Sequence, residues 1–269
     1  MNVGLMLFTN AYHYKMVSIL HDLFKINNIK HIIFDKDGTI TDSSIYWAEI
    51  IKRRSLVICE SFNLNKEVYI ELLLTMGLDN KTQKLLSTGP IGLKSRKEVI
   101  DCVFTVLKAY IPSITHDQIN LIFYTVHSEF INDAHEYMKP INSCVNLIHS
   151  LASMNVSLSL VTSDTHSNAC ICLETLKMSD LFSAVIGGDS GYGKKDTGIP
   201  AIAACDLVSI SSANTLIIGD APMDLHMAQK SNIPSALLVS TGQVPFSVLS
   251  RLTHTVVSDL SFINVSNEG

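Results

Sequence analysis

Short runs of consecutive apolar residues that stop at an acid, a hydroxyl or a glycine punctuate this chain, and between them apolar residues recur at the three- and four-residue spacing of helices. The first run, His31-Ile32-Ile33-Phe34, reads as a buried strand ending in Asp35. Ahead of it, from about 11 to 29, Met16, Ile19, Leu20, Leu23 and Phe24 predict one amphipathic helix. After Asp42 the helical rhythm persists for roughly ninety residues in four segments, at about 45–62, 66–76, 95–110 and 117–130, the last capped by Thr115. From Pro140 helices at about 141–154, 168–178, 199–207 and 222–230 alternate with strands at about 156–161, 184–186, 215–218, 236–239 and 255–257.

Alternation of this kind is the pattern of a parallel sheet covered on both faces, and a helix-only block between its first strand and the rest is an insertion. The fold class is therefore α/β, a Rossmann-like doubly wound parallel sheet with an inserted all-helical domain. The expected division is a helical N-terminal extension over 1–29, an α/β core over 30–45 and 139–269, and a helical domain over 46–138.

Composition narrows the function. The chain has 269 residues, 47% hydrophobic and 17% charged, with a net charge of −5, which argues against a nucleic-acid surface. The one tight basic triplet, Lys52-Arg53-Arg54, reads as a solvated helix face. Cys59, Cys102, Cys144, Cys170, Cys172 and Cys205 lack paired ligand spacing and read as core residues, as in a reducing compartment. The apolar patch Val3 to Phe8 has neither a basic start nor a cleavage site, and no run is long enough for a bilayer. A cytoplasmic protein without membrane or nucleic-acid partners is expected.

Ligands of open α/β sheets sit at the carboxyl ends of strands, so Asp35 and Asp37 would face one together. Two such carboxylates repel unless a cation lies between them, and a hard divalent ion, Mg2+ first, meets that need. Gly38 allows the sharp turn, which Thr39 and Asp42 can fasten. Three later stretches repeat the pattern. Leu158–Val161 ends in Thr162-Ser163, hydroxyls able to donate to phosphate or to cap a helix. Lys194 and Lys195 follow Gly191-Tyr192-Gly193 in a loop, and Ile217-Ile218-Gly219 ends in Asp220, with Asp224 one helical turn on. Capping accounts for one of those last two carboxylates, not for the whole ordered series.

In this order the four stretches resemble the motifs of the haloacid dehalogenase-like hydrolase superfamily, in particular its phosphoglycolate phosphatase-like branch, from about residue 30 onward. Phe34 to Asp42 matches the first motif, Thr162 the second, the loop lysine the third and Gly219 to Asp224 the fourth. The helical insertion falls where that branch carries its cap. The resemblance implies a Mg2+-dependent phosphatase acting on a small phosphorylated metabolite, phosphoglycolate-like or a sugar phosphate, through an aspartyl-phosphate.

On that resemblance Asp35 is the nucleophile and Asp37 the acid and base, while Asp35, the Asp37 carbonyl, Asp220 and Asp224 hold the metal. Thr162 and Lys194 bind phosphoryl oxygens, and the backbone N–H groups of Asp37 and Gly38 are further donors. The branch usually has proline after its lysine. Lys195 stands there instead, so either lysine can serve; Lys194 is preferred because Lys195-Asp196 then overlays the usual Pro-Asp pair. Thr162 is preferred to Ser163, which strand alternation sends to the opposite face.

Other reactions share this fold. A dehalogenase needs no acid at position 37. A phosphonate hydrolase needs a cap lysine, for which Lys52, Lys66, Lys94 and Lys97 are available. A phosphohexomutase keeps the acid pair, and a non-catalytic binding protein would not need to retain the set. The expected partner is a small phosphorylated substrate, the expected assembly a monomer or homodimer. Substrate choice is expected in the cap, among Tyr46, Trp47, Arg53, Arg54, Lys94, Ser95 and Arg96, with the 92–96 loop facing the core. Gly38, Thr39, Ser163, Lys195 and Arg96 complete the candidate substrate contacts.

Overall fold

Residues 14–130 and 134–268 are described by a computed structural model. In chain order its elements begin with β1 (Val17–His21), β2 (Phe24–Ile29), β3 (His31–Phe34) and β4 (Thr41–Asp42). The helices α1 (Ser44–Phe62), α2 (Lys66–Met76), α3 (Arg96–Tyr110), α4 (His116–Phe130) and α5 (Ala134–Tyr137) follow. Then come β5 (Lys139–Pro140), α6 (Asn142–Ser153), β6 (Ser157–Val161), α7 (His166–Thr175), β7 (Ala184–Ile186) and α8 (Ile199–Val208). The chain closes with β8 (Thr215–Gly219), α9 (Pro222–Lys230), β9 (Ser235–Val239), α10 (Phe246–Leu249), β10 (Val256–Val257) and β11 (Asn264–Asn267).

Six strands form the parallel sheet in the order β10-β9-β8-β3-β6-β7. β3 is buried throughout because it pairs on both edges, Phe34 lying opposite Leu160 of β6 and Ile218 of β8. Its alternate side chains feed two layers. Ile32 and Phe34 join the core under α6, and Ile33 joins the core with Ala201 of α8 and Met227 of α9. From β3 the order runs one way to β6 and β7 and the other way to β8, β9 and β10. The ends of β3, β6 and β8 thus flank a topological switch point, where such sheets bind ligands.

The helices α1 to α4 carry a hydrophobic core of their own, with Ile50, Leu72, Val103 and Phe123 fully buried. Their boundaries follow from capping. Ser95 and Glu98 form a reciprocal box at the start of α3, Asn65 Oδ1 accepts from Val68 N at 3.1 Å on α2, and Thr115 Oγ1 accepts from Gln118 N at 3.3 Å on α4. Entry and exit of this insertion are pinned together where β4 pairs antiparallel with β5, Asp42 opposite Lys139.

One expected element is different. The helix read over 11–29 is, from residue 17, the hairpin β1–β2, which pairs through β1 with β11 in a three-stranded antiparallel sheet. Val17, Ile19, Ile26 and Ile29 face the core while Leu23, central to the helical pattern, is 83% exposed at the turn. A strand partner some 240 residues downstream supplies the ladder that local spacing could not reveal. Residues before 14, including the Val3 to Phe8 patch, lie outside the described residues. All six cysteines are free thiols, four of them buried. No helix among the described residues is long and apolar enough to cross a membrane.

Candidate active site

The sheet ladder runs one residue past β3, Asp35 N donating to Ile218 O at 2.9 Å, and the chain then turns sharply. Ile40 N and Thr41 N both donate to Lys36 O, at 2.9 and 3.0 Å, around Gly38 at φ +78°. Gly38 N donates to Thr41 O at 2.8 Å, so it is committed to the turn and is not the extra phosphate donor expected. The glycine is needed for approach as well as for turning. A Cβ on Gly38 would lie 2.4 Å from Asp220 Oδ2, and one on Gly242 would lie 1.8 Å from the same atom.

Asp35, Asp220 and Asp224 each present an oxygen within 4.8 Å of the others. Asp220 is not a helix cap. Asp224 does the capping at the third position of α9, its Oδ2 accepting from Ala221 N at 3.1 Å. Its Oδ1 accepts from Lys195 Nζ at 2.8 Å, and the same ammonium lies 2.7 Å from Asp35 Oδ1. Lys195 is 6% exposed, whereas Lys194 is exposed, so the preference between the two is reversed by position. The loop turns between them: Thr197 and Gly198, the latter at φ +74°, donate their N–H groups to Lys194 O and Lys195 O and carry residue 195 inward against α9.

Crowded acids at this depth resist ionisation. Burial, only partly opposed by Lys195 and reinforced by Asp224, raises the Asp35 pKa to about 7. Burial and then the charges of Asp35 and Asp224 hold Asp220 well above the carboxylate range. Burial alone would lower Lys195, but Asp224 and Asp35 hold it above its ordinary value. Three carboxylates, Asp220 and Asp224 buried and Asp35 half-buried, crowd around one ammonium, and an oxygen-only donor set of this kind fits a hard divalent cation.

A second ion cluster adjoins the first. Lys36, 3% exposed, pairs with Asp37 Oδ1 at 2.8 Å and Asp164 Oδ2 at 3.1 Å. Asp164 also accepts from Thr165 N at 2.7 Å and Asn168 Nδ2 at 2.9 Å. Burial raises the pKa of Asp37 against the pull of Lys36. Lys36 and Asp164 were not among the expected site residues. Asp164 directly follows the Thr162-Ser163 pair, which is the signal available for it, while a lysine between two acids in a continued strand would face away from both, so the pairing of Lys36 with Asp37 has no local signal.

Thr162 is buried, and its Oγ1 accepts from Asp164 N at 3.1 Å, which leaves the hydroxyl proton free to donate. Ser163 is exposed. Thr39 Oγ1 donates to Asp220 Oδ1 at 3.4 Å and so supports an acid, with no opening of its own onto a ligand.

In the helical insertion, Arg53 pairs with Glu49 at 2.9 Å and lies over Phe130. Arg54 is 5% exposed, so the basic triplet is not the solvated face expected of it. Ser95 is spent on capping α3, and Lys66, Lys94 and Lys97 are exposed. Of the 92–96 loop expected to face the core, Leu93 packs against the cluster of Leu238, Val244 and Leu249, while Lys94 and Arg96 are exposed; just before it, Gln243 donates through Nε2 to Leu86 O and, at 3.3 Å, to Gly89 O. Trp47 Nε1, beside Gly92, is buried without a partner among the described residues.

Comparison with known proteins agrees with this architecture. Residues 32–238 match the sequence model of the haloacid dehalogenase-like hydrolases. A phosphoglycolate phosphatase of Neisseria gonorrhoeae is 33% identical over 101 residues, 38% of this chain and 42% of that protein, so the match spans less than half of the relative. A phosphoglycolate phosphatase of Salmonella typhimurium is 23% identical over 223 residues, 78% of this chain and 81% of that one. The crystal structure of a predicted phosphoglycolate phosphatase from Haemophilus somnus superimposes with a TM-score of 0.67 at 16% identity, over 88% of this chain and 96% of the other, a likeness of fold.

Proposed function

This chain belongs to the haloacid dehalogenase-like hydrolase family, and from that premise we propose that it is a Mg2+-dependent phosphatase. Its substrate is a small phosphorylated metabolite of the phosphoglycolate or sugar phosphate kind, hydrolysed through an aspartyl-phosphate on Asp35. The observation that carries this reading is the convergence of Asp35, Asp220 and Asp224 around the buried ammonium of Lys195 at the end of β3.

Lys195 Nζ and Lys36 N both contact Asp35 Oδ1, which leaves Oδ2 as the oxygen offered for attack on phosphorus. A carboxylate needs no activating base for this step. Asp37 gives its proton to the leaving oxygen and then takes one from the water that cleaves the aspartyl-phosphate; burial, which raises its pKa, favours the proton-bearing form the first step needs. Lys195 and the Thr162 hydroxyl bind the phosphoryl oxygens, the lysine as a fixed point charge. Asp35, the Asp37 carbonyl, Asp220 and Asp224 are the residues that would hold Mg2+, which when bound neutralises phosphate charge and aligns the group for in-line displacement.

Turnover of an aryl phosphate by the purified chain tests this. Activity is expected with Mg2+, lost on chelation and restored by readdition, and Asp35→Asn is expected to fall to background. Acid quenching during turnover should trap a phosphorylated peptide containing Asp35. Full activity of Asp35→Asn would refute the nucleophile.

A further inference from the structure

Lys36 touches both of the acids between which it stands. Its N–H donates to Asp35 Oδ1 at 2.7 Å, and its Nζ donates to Asp37 Oδ1 at 2.8 Å. Its main chain is fixed in the turn, where Lys36 O accepts from Ile40 N, Thr41 N and, at 3.3 Å, Thr41 Oγ1. The second partner of the ammonium, Asp164 Oδ2 at 3.1 Å, is held in turn. Asp164 stands just before α7, and its Oδ1 accepts from Thr165 N and from the buried amide of Asn168. A continuous chain of contacts thus runs from Asn168 on α7 through Asp164 and Lys36 to Asp37.

Neutralising Lys36 does not account for this arrangement. Asp164 alone would balance the ammonium, and a buried ion pair returns little net stability because desolvation of both charges offsets their attraction. What the cluster fixes is direction. Asp37 Oδ1 is bound to Lys36, while Oδ2 has no partner among the described residues and the side chain keeps 18% of its surface open. Asp35 is divided in the same way, its Oδ1 taken by Lys36 N and Lys195 Nζ. Asp164 N also donates to Thr162 Oγ1 at 3.1 Å, so the residue that steadies Lys36 orients the hydroxyl expected to meet phosphate.

We propose, resting on the phosphatase reading above, that Lys36 held by Asp164 is a positioning residue, which clamps Asp37 Oδ1 so that Oδ2 delivers the proton to the leaving oxygen of the substrate. In that step the bond from Asp35 Oδ2 to phosphorus forms and the bond from phosphorus to the ester oxygen breaks. The electron pair left on the ester oxygen takes the proton from Asp37 Oδ2. Lys36 acts only through Asp37. Displacing such a donor by about an ångström costs on the order of a hundredfold, and it does so only where the leaving oxygen needs a proton.

The test compares two phosphate esters that differ in this need. Dinitrophenolate leaves without a proton, whereas an alkoxide must be protonated; the alkyl ester is phosphoglycolate or a sugar phosphate, whichever the wild type hydrolyses faster. Lys36→Met should lower kcat/KM by about a hundredfold on the alkyl ester and by less than about threefold on dinitrophenyl phosphate. Asp164→Asn, which loosens Lys36 but leaves its ammonium on Asp37, should show the same inequality at about tenfold on the alkyl ester. It also carries the test should Lys36→Met, with two acids left facing one another, fail to fold. Equal losses on both esters, as a merely structural role would give, or no loss on the alkyl ester, would overturn the proposal. Crystal structures of the two variants read the clamp without turnover, with the Asp37 carboxylate expected to leave its present rotamer. Displacement of Asp37 in a chain that hydrolyses neither ester would sink the phosphatase reading and keep the clamp; hydrolysis of both esters with uniform losses would do the opposite.

Discussion

Lys194 and Lys195 are adjacent and chemically identical, and only the path of the loop separates their roles. Lys195 is folded against Asp35 and Asp224, while Lys194 is exposed. Lys195→Met is therefore expected to lower kcat on an aryl phosphate by about a hundredfold to a thousandfold, the scale of one preorganised electrostatic contact, and Lys194→Met to stay near the wild type; parallel steady-state assays check it. Asp220 gives a second prediction. Crowded by Gly38, Gly242 and two other acids, it is held above its ordinary pKa by burial first and then by Asp35. Asp220→Asn should leave the metal-free melting temperature unchanged or raised, because it removes like-charge repulsion. It should also weaken Mg2+ by roughly a hundredfold in calorimetry and abolish the rise in melting temperature that Mg2+ gives the wild type. The acids were legible in sequence because each ends an apolar run. Which lysine turns inward was not, because that depends on two φ angles and on the packing of Gly198 against Lys230.

At the level of elements, β3 carries a histidine where an apolar residue would be expected. His31 is fully buried, its Nε2 2.7 Å from Ser159 Oγ on β6 and its Nδ1 3.2 Å from Thr215 Oγ1 on β8, so it ties the central strand to both neighbours. Burial lowers its pKa from the usual 6.5 to about 3. Between those values the unfolded chain binds a proton that the fold excludes. The contribution of His31 is thus complete above pH 6.5 and drains away as pH falls toward 3. A full shift of that size corresponds to a few kcal/mol. Urea unfolding between pH 7 and 4 is expected to show this loss, and His31→Gln should give a flatter dependence from a lower starting stability. Most elements were readable because a cap such as Thr115 and the apolar rhythm agree over a single turn or two. The β1–β2 hairpin was not, because its stability comes from β11, beyond any local window.

For the whole molecule the relation of helical insertion to sheet matters most. The 241–243 loop holds both at once: Thr241 Oγ1 donates to Gly38 O at 2.6 Å, Gly242 packs on Asp220, and Gln243 bonds the carbonyls of Leu86 and Gly89. Gln243→Ala should loosen the insertion without touching the acids. The expected result is faster amide exchange in the 86–92 segment, with kcat and KM altered together rather than singly. Taken by itself, the amino-acid order determined the α/β class, the place of the helical insertion and the acids at the strand ends, because apolar periodicity and chain punctuation are properties of neighbouring residues. Tertiary structure alone decided that Lys195 meets Asp35, that Lys36 and Asp164 form a second ion cluster, that Arg54 is buried and that the first residues described form a hairpin. Each of those rests on contacts between segments far apart in the chain, whose energies depend on burial and charge in a place that exists only once the molecule has folded.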